Sequence, residues 1–535
     1  HVPRYMAFWE FSLSNRRLRY AFPPHNSFPT GSVRPAAMAE RSVMVMNERP
    51  DTVIPASATS PPETLNRSLS LWNSLTIGFA TVSPVAGLYA IIGVQTVVAG
   101  GGWFPALALC LVMQLLVATV YAELSSQIPI AGGAYKWARQ LGGSTTGTYA
   151  GAIYVSSTIA MLTTTAYTGG VWLAIFFGSG SGTGVTLVIW GAVFMLICTA
   201  LNLVHVAVFK FLISLGVYAE IVGSFGVALL LFFFFRQHDF SELFAHLGTG
   251  TAPSQTAAFL AALAISGWAF IGFDACSTIA EETHEPKRMV PRAIFFSLCM
   301  VGSVVLFNSA ALTLSFNRDT LVHTSAASDP VTPVIVHNFG AWAETPFLTI
   351  VMIAFLACGS SMVQYTSRIV FSMAREGSMP AVLSRVTAAG APHNAVLFTV
   401  LLATLGLLFG LNDEAVATVL AFGTGGLYAM FAMTTGVGLY TRLTGRWDPS
   451  LGQLKLGAWG LLINTAAFLW SVFEFVNIAW PRPYATSPDA PWWQLWAVPL
   501  VLGSILGVTT LYLLIVKPTR DDLLMRPRAS APTQE

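Results

Sequence analysis

Long apolar runs separated by short polar segments recur along the chain from Leu71 onward. A helix needs ~20 residues to cross a hydrocarbon core of approximately 30 Å, and twelve of the runs are long enough. The pattern therefore predicts an all-α membrane protein with twelve transmembrane helices. We expect the spans near residues 71–98, 103–128, 147–177, 184–203, 209–235, 256–281, 292–316, 344–374, 394–411, 414–440, 455–478 and 493–516.

The segments on either side of this core, residues 71–516, have a different composition. Residues 1–66 are rich in Pro, Ser and Arg and lack an apolar run of spanning length, which predicts a disordered tail. Residues 517–535 form a second predicted tail. With both termini in the cytosol, 24 of the 27 Lys and Arg residues fall on the cytosolic side, as the positive-inside rule requires. We expect the plasma membrane as the location, with the vacuolar membrane as the alternative.

Composition narrows the classes of function. Of the 535 residues 54% are hydrophobic and 10% are charged, against about 25% charged in an average soluble chain. The net charge of +2 and the lack of a basic stripe argue against a nucleic-acid partner. The five cysteines are scattered through apolar runs, so neither disulfides nor a metal site is expected. The sequence contains no phosphate-loop or HExxH motif, and we predict neither an enzyme nor a bound cofactor.

Two of the predicted spans are interrupted. The first contains Ser83-Pro84 and Gly87, and the sixth contains Gly272 and Asp274. Proline removes a backbone donor and glycine weakens a helix. A carboxylate inside a span costs roughly 2.5–3.5 kcal/mol on insertion scales and is by default a functional-site hypothesis. Interruptions at corresponding positions of two halves of a chain indicate a binding site near the membrane midplane.

Four stretches resemble a known family. They are SPVAGLY at 83–89, AELSSQIPIAGGAYKWARQLGG at 122–143, GFDACSTIAEETHEPKRMVPRAI at 272–294 and SRIVFSMAREGSMP at 367–380. On these residues the chain resembles the amino acid–polyamine–organocation (APC) superfamily, closest to its fungal amino acid/choline and GABA permease branch. The resemblance implies a 5+5 inverted-repeat fold like that of LeuT, with repeats at about 71–235 and 256–440 and with spans 11 and 12 at about 455–516. It also implies secondary active transport of amino acids or small amines such as GABA or choline.

The interruptions predict a site for a small amine-containing solute. A broken helix exposes N–H groups that attract anions and carbonyl groups that attract cations. A substrate carboxylate is therefore expected at the N–H groups near Ala86 and Gly87, and its amine at the carbonyls of Phe270 and Ile271. Phe273, Trp268 and Tyr154 are candidate apolar walls, and packing or contact with lipid is the alternative for each aromatic. The predicted substrate-binding residues are Ser83, Ala86, Gly87, Tyr154, Phe270, Ile271, Gly272, Phe273 and Asp274.

Buried acids allow more than one role. For Asp274 we keep three interpretations: a partner of the substrate amine, a proton carrier, or a structural acceptor of hydrogen bonds. Glu220, near the middle of span 5, is expected to carry a coupling proton or to form a hydrogen bond between packed helices. We expect proton coupling rather than sodium coupling, although broken-helix carbonyls can hold either ion.

Charges at the cytosolic ends of spans 2, 6 and 8 predict a gate on that side, with simple contact with water and lipid headgroups as the alternative. Glu123, Glu281 and Arg368 are the candidate gate residues, with Glu282 beside them. Glu474, close to the outer end of span 11, is expected to be interfacial. A nutrient sensor without net flux is the competing function, and a channel is disfavoured because two broken helices suit alternating access better.

Overall fold

The computed structural model describes residues 69–179, 184–203, 206–245, 247–315, 331–387, 392–485 and 490–516. The predicted tails at 1–66 and 517–535 lie outside the described residues. Within the described ranges eleven helices are long and apolar enough to cross a membrane, and the bent first span makes twelve. The same part of the chain contains only isolated β-bridges and no strand. The prediction of an all-α protein with twelve spans is confirmed.

Most spans are single helices close to their predicted bounds. Span 3 begins earlier than predicted, because a helix already starts in the preceding loop and bends at Gly143 (φ 89°) before it crosses the core. The uninterrupted spans are Phe104–Gln127 (span 2), Gly133–Phe176 (span 3), Gly184–Leu203 (span 4), Pro286–Ser315 (span 7), Glu344–Arg375 (span 8), His393–Gly406 (span 9), Asp413–Leu443 (span 10), Gly460–Ala479 (span 11) and Ala497–Val516 (span 12).

Span 1 breaks where the sequence predicts. It comprises Leu71–Val82 and Pro84–Tyr89, followed by Ile92–Ala99 at an angle of 45°. Ser83 separates the first two helices with φ 50° and ψ 109°. A residue with a side chain rarely adopts positive φ, and such strain concentrates at functional sites.

Span 6 is broken over a longer stretch. The helix Gln255–Ser266 tightens into a 3₁₀ turn over Gly267–Phe270. The chain is then extended at Ile271 and turns at Gly272, whose φ of 91° suits glycine. A short helix, Ala275–Thr278, resumes after Asp274. The predicted interruption of this span is confirmed.

Span 5 contains a distortion that the apolar pattern does not indicate. The helix Val206–Ala219 widens into a π-helix over Glu220–Phe225 before the helix Gly226–Phe234 resumes. π-Bulges inside α-helices occur frequently at functional sites. Here the π-helix begins at Glu220 itself.

The two broken spans are in direct contact. A Cβ atom at Gly78 would come within 2.4 Å of Cys276 Sγ, and one at Gly87 would lie 3.4 Å from Ala269 Cα. The chain just before span 1 also pairs with the segment after span 6, since Leu69 N–H donates to the Glu282 carbonyl at 2.9 Å. Small residues therefore bring the two interruptions close together.

Candidate functional site

Ser83 connects the break in span 1 to span 5. Its Oγ accepts a hydrogen bond from Ala86 N–H at 3.1 Å and so caps the helix that follows. The same hydroxyl donates to Glu220 Oε1 at 2.5 Å. One side chain therefore holds both the unwound point of span 1 and a buried carboxyl group.

Glu220 is only 1% exposed, and its second oxygen, Oε2, has no hydrogen-bond partner among the described residues. A buried carboxyl group with one free oxygen is unfavourable unless the group is protonated or has a function. The link to Ser83 makes Glu220 part of the site at the break of span 1, and this contact with a neighbouring span agrees with both roles considered for it.

Asp274 is held by two tyrosines from the surrounding helices. Tyr154 of span 3 donates to Asp274 Oδ2, and Tyr365 of span 8 donates to both carboxylate oxygens at 3.0 Å. The two tyrosine hydroxyls are 2.9 Å apart, and none of the three side chains is more than 2% exposed. The acid at the break of span 6 is therefore fixed by a three-residue hydrogen-bonded cluster.

The backbone groups predicted to bind substrate already have partners on the span 1 side. Ala86 N–H donates to Ser83 Oγ, and Gly87 N–H donates to the Ser83 carbonyl at 2.7 Å. The expectation that these N–H groups are unpaired is therefore wrong for this conformation. On the span 6 side, Ile271 is extended, so its carbonyl does not continue the helix.

The aromatic candidates are packed inside the protein and do not face lipid. Trp268 lies against span 1, with its indole N–H 3.5 Å from the Ala86 carbonyl. Phe273 packs edge-on against Tyr121 of span 2 and lies 5.5 Å from the ring of Phe431 in span 10. Phe273 therefore belongs to an aromatic core, whereas Tyr154 and Trp268 border the two breaks directly.

The predicted site is closed in this structure. Ser83, Phe270 and Asp274 are fully buried, and Ala86 is 4% exposed. The carboxylate of Asp274 faces packed side chains. A solute can reach these groups only after the surrounding helices separate.

A cluster of ion pairs lies where spans 6 and 8 end. Glu282 accepts a hydrogen bond from Arg368 Nε at 2.9 Å and forms an ion pair with its Nη2 at 2.9 Å, and Glu281 accepts two hydrogen bonds from Arg375 at 2.8 and 3.1 Å. Glu376 is paired with Lys136 of span 3. We call these six residues the ion-pair cluster. It joins the segment after span 6 to spans 3 and 8.

Glu281 of the ion-pair cluster stays charged near neutral pH. Burial raises the pKa of Glu281, but hydrogen bonds and charge from the Arg375 guanidinium outweigh burial, and the pKa lies below its usual value. Its stabilising contribution is present above the ordinary carboxyl pKa and is lost only as pH falls through the depressed value. Protonation of Glu281 is therefore not a source of pH dependence near pH 7.

Glu123 does not join the ion-pair cluster. It is paired with Arg442 of span 10 and accepts a hydrogen bond from Leu456 N–H at 3.0 Å. Arg442 also lies over the ring of Trp447, 4.0 Å from its centroid. Of the three predicted gate residues, Glu281 and Arg368 belong to the ion-pair cluster, whereas Glu123 fastens span 2 to span 10.

A family model described as Amino acid permease matches residues 69–504, which include all twelve spans but the end of the last. The chain belongs to the amino acid permease family. The permease is therefore a membrane transporter and not an enzyme, and the resemblance to the APC superfamily is confirmed.

Relatives of this permease are named for several solutes. The amino-acid permease BAT1 of Arabidopsis thaliana is 23% identical over 486 residues, covering 84% of this chain and 91% of the relative. A choline transporter of Saccharomyces cerevisiae is 23% identical over 465 residues, covering 79% of this chain and 78% of the relative. The glutamate/serine transporter AimA of Bacillus subtilis is 25% identical over 358 residues, or 62% and 65%. Similarity at this level does not distinguish an amino acid from choline.

Glu474 of the permease differs from the sequence prediction. It is fully buried and accepts a hydrogen bond from Asn477 at 3.2 Å, while its Oε1 finds no partner in the described part of the chain. The expectation of an interfacial residue is wrong. Span 11 packs against spans 2 and 10, and Glu474 lies on that inner face.

Sequence reasoning missed three partners of the predicted acids: Tyr365, Arg375 and Arg442. Tyr365 lies three residues before Arg368 on span 8, so both side chains project from the same side of one helix. That spacing was the available signal for Tyr365. The pairing of Arg442 with Glu123 joins residues 319 apart in the chain and leaves no local signal.

Proposed function

We propose that this permease takes up an amino acid or a related small amine, such as GABA or choline, together with a proton. The observation that carries the proposal is the double contact of Ser83, which caps the broken span 1 and donates to the buried Glu220. The Ser83 hydroxyl, which the substrate must displace, is in this way hydrogen-bonded to the Glu220 carboxyl group, which can carry a proton.

The amine end of the solute is assigned to Asp274. An ionised carboxylate offers about four lone-pair positions, so Asp274 can accept from an ammonium group while the two tyrosines stay in place. The tyrosine rings and Trp268 offer aromatic faces to a quaternary ammonium, which cannot donate a hydrogen bond. The amine end of the site therefore suits either an amino acid or choline, whereas the carboxylate position described next is used only by a solute that carries a carboxylate.

The carboxylate end is assigned to the N–H groups of Ala86 and Gly87. Because Ala86 N–H is bonded to Ser83 Oγ in the closed structure, a substrate carboxylate has to replace that hydroxyl. The positive end of the helix Pro84–Tyr89 favours an anion at this position. Ser83 would act as a stand-in for the substrate carboxylate when the site is empty.

Coupling follows from the second contact of Ser83. A hydrogen bond donated to a carboxylate favours its charged form. When substrate draws Ser83 away, Glu220 loses its donor and is left as a buried anion without a partner. Taking up a proton relieves this cost, so substrate and proton would bind together.

The ion-pair cluster is assigned to closing the cytosolic side. Its six charged residues link the segment after span 6 to spans 3 and 8, which must separate to open a path to Asp274. A coupling of a few kcal/mol is enough to bias a two-state equilibrium. Both termini would lie in the cytosol, on the same side as the cluster.

Sodium coupling is the second candidate, and a group of oxygens between spans 1 and 8 supports it. The Ile77 carbonyl accepts from Thr81 Oγ1 at 2.7 Å and from Ser361 Oγ at 3.1 Å, and the two hydroxyls are 2.5 Å apart. Oxygen ligands of this kind suit a hard cation. We place it second because the three oxygens satisfy one another, whereas Glu220 Oε2 has no hydrogen-bond partner in the part of the chain that the structure describes.

The test is uptake of radiolabelled solutes into proteoliposomes containing the purified permease. Amino acids, GABA, choline and polyamines are compared with an inward proton gradient, with a sodium gradient and with neither. The proposal expects accumulation of at least one solute that a protonophore abolishes and that sodium does not restore. Specific binding without accumulation of any solute would instead indicate a sensor.

Asp274→Asn tests the amine assignment in the same vesicles. The volume barely changes and the tyrosines can still donate to the amide oxygen, so the protein should fold. Losing a charge-assisted hydrogen bond of about 1.5–3 kcal/mol should weaken substrate binding roughly 10- to 150-fold. Asp448→Asn, which alters an exposed loop acid, is the control. Parental binding and uptake by Asp274→Asn would reject the assignment.

A further inference from the structure

A cavity of about 410 Å³ lies between spans 2 and 7 and the loop that precedes span 11. It is formed where span 2 ends and span 7 begins, on the same side of the molecule as the ion-pair cluster, and it is separate from the two helix breaks. Its volume is within the range of about 300–1,000 Å³ that is typical of ligand sites. The mechanism proposed above does not use it.

Three basic side chains line this cavity: Lys287, Arg288 and Arg292. Lys287 donates to the Leu451 carbonyl at 3.1 Å, and Arg288 is 3.8 Å from Glu285 with both side chains more than half exposed. Such an exposed pair contributes little. Among the described residues only the exposed Glu285 pairs with these cations, so most of their positive charge remains available to a ligand.

The residues opposite these cations do not supply a counter-charge. The described lining contains no Asp or Glu side chain. Outside the lining, Glu285 contacts Arg288, and Glu123 bonds to the backbone of the lining residue Leu456 but is already paired with Arg442. An anionic ligand in the cavity would be close to three positively charged side chains, and the adjacent Glu123 is already neutralised by Arg442.

Apart from Thr119 and Gln453, the other side chains that line the cavity are apolar. Phe295 and Phe296 follow Arg292 on span 7, and Phe296 is 52% exposed on the outer surface of the helix. Four residues separate Arg292 from Phe296, about 6 Å along the helix axis. The charged part of the cavity thus lies at the start of the span, and the apolar part lies one turn deeper.

We propose that this cavity binds the headgroup of an anionic phospholipid, with its phosphate at Arg288 and Arg292 and its first acyl carbons against Phe295 and Phe296. Basic pockets between transmembrane helices on the cytosolic side suit such headgroups. A soluble anion would use the cations but leave the apolar wall exposed, and a zwitterionic lipid would gain less from three positive charges. The order of charge and apolar surface along span 7 is that of a lipid molecule.

The test is lipid binding to the purified permease by native mass spectrometry, with phosphatidylinositol 4-phosphate, phosphatidylserine and phosphatidylcholine added in turn. The variant Arg288→Gln/Arg292→Gln removes two cations. Arg446→Gln, which removes an exposed cation outside the cavity that lies over the ring of Tyr440, is the control. At about 1 kcal/mol for each basic residue near an anionic headgroup, the double variant should bind anionic lipid roughly 25-fold more weakly.

Each outcome decides for or against the proposal. Anionic lipids should bind more tightly than phosphatidylcholine, and only the double variant should lose that preference. Equal retention of all three lipids, or equal losses in the double variant and in Arg446→Gln, would overturn the site. Inositol phosphates that compete as strongly as the intact lipid would show a soluble-anion site and would also overturn it. Phe296→Ser, which keeps every charge, should weaken the binding of the intact lipid but not that of inositol phosphates.

Discussion

Replacing Ser83 with alanine is the most informative single change in span 1. It removes the hydroxyl that caps the helix Pro84–Tyr89 and that donates to Glu220. Loss of a serine N-cap costs about 1 kcal/mol. Loss of a hydrogen bond to a charged group costs about 1.5–3 kcal/mol, and one to a neutral group about 0.5–1.5 kcal/mol. We expect Ser83→Ala to lower the free energy of unfolding by about 2.5–4 kcal/mol if Glu220 is ionised, and by about 1.5–2.5 kcal/mol if it is protonated.

A second helix start in the same protein provides the control. Ser254 caps span 6 by accepting from Ala257 N–H at 3.2 Å, is exposed, and has no carboxyl partner in the described structure. Ser254→Ala should therefore lose the cap alone, about 1 kcal/mol. Chemical denaturation of both variants in detergent gives the difference that belongs to the Ser83–Glu220 hydrogen bond.

A double-mutant cycle completes the measurement. Combining Ser83→Ala with Glu220→Gln separates the pairwise interaction from the cap, because the two side chains are in contact. An interaction energy near zero, with Ser83→Ala no more destabilising than Ser254→Ala, would show that the Ser83–Glu220 hydrogen bond does not stabilise the protein. With that result, the strained backbone conformation of Ser83 would have no role in coupling.

Two further changes test the contact between the broken spans and the cytosolic closure. Gly87→Leu should abolish substrate binding without loss of expression, because the branched side chain would collide with the backbone of Ala269, which lies 3.4 Å from the ideal Cβ position. Gly87→Ala should bind substrate nearly as well as the parent, and calorimetry with both variants checks this. Undiminished affinity in Gly87→Leu would exclude span 1 from the site. Arg368→Gln should speed amide hydrogen exchange at Leu69, which is bonded to the Glu282 backbone, and should lower accumulation. The charge swap Arg368→Glu/Glu282→Arg should restore both, and exchange at the parental rate in Arg368→Gln would separate the ion pair from closure.

The features that the sequence predicts well are those that conflict with a membrane. Pro84, Gly272, Asp274 and Glu220 each break a helix or place charge in hydrocarbon, and each lies at an interruption or at a helix distortion in the structure. Because such residues are energetically unfavourable in a membrane-spanning helix, they can be identified without any knowledge of the fold. The number of spans is predictable for the same reason, since length and hydropathy determine it.

The partners of these residues are not predictable in the same way. The local signal for Tyr365 is its position three residues before Arg368 on span 8, and that spacing does not identify Asp274 as its partner. The gate assignment shows the same limit: Glu123 and Glu281 lie near the ends of spans 2 and 6, but which arginine each one meets depends on how spans 8 and 10 pack. The closure of the site is a property of the conformation and leaves no pattern in the chain.

Glu220→Gln in proteoliposomes is the most direct test of proton coupling. Glutamine mimics the protonated carboxyl group and keeps an oxygen for the Ser83 hydroxyl, so the break in span 1 should persist. We expect exchange of internal for external substrate to survive in this variant, while accumulation driven by a proton gradient is lost. Accumulation at the parental level with unchanged pH dependence would contradict this expectation, and would assign Glu220 to helix packing.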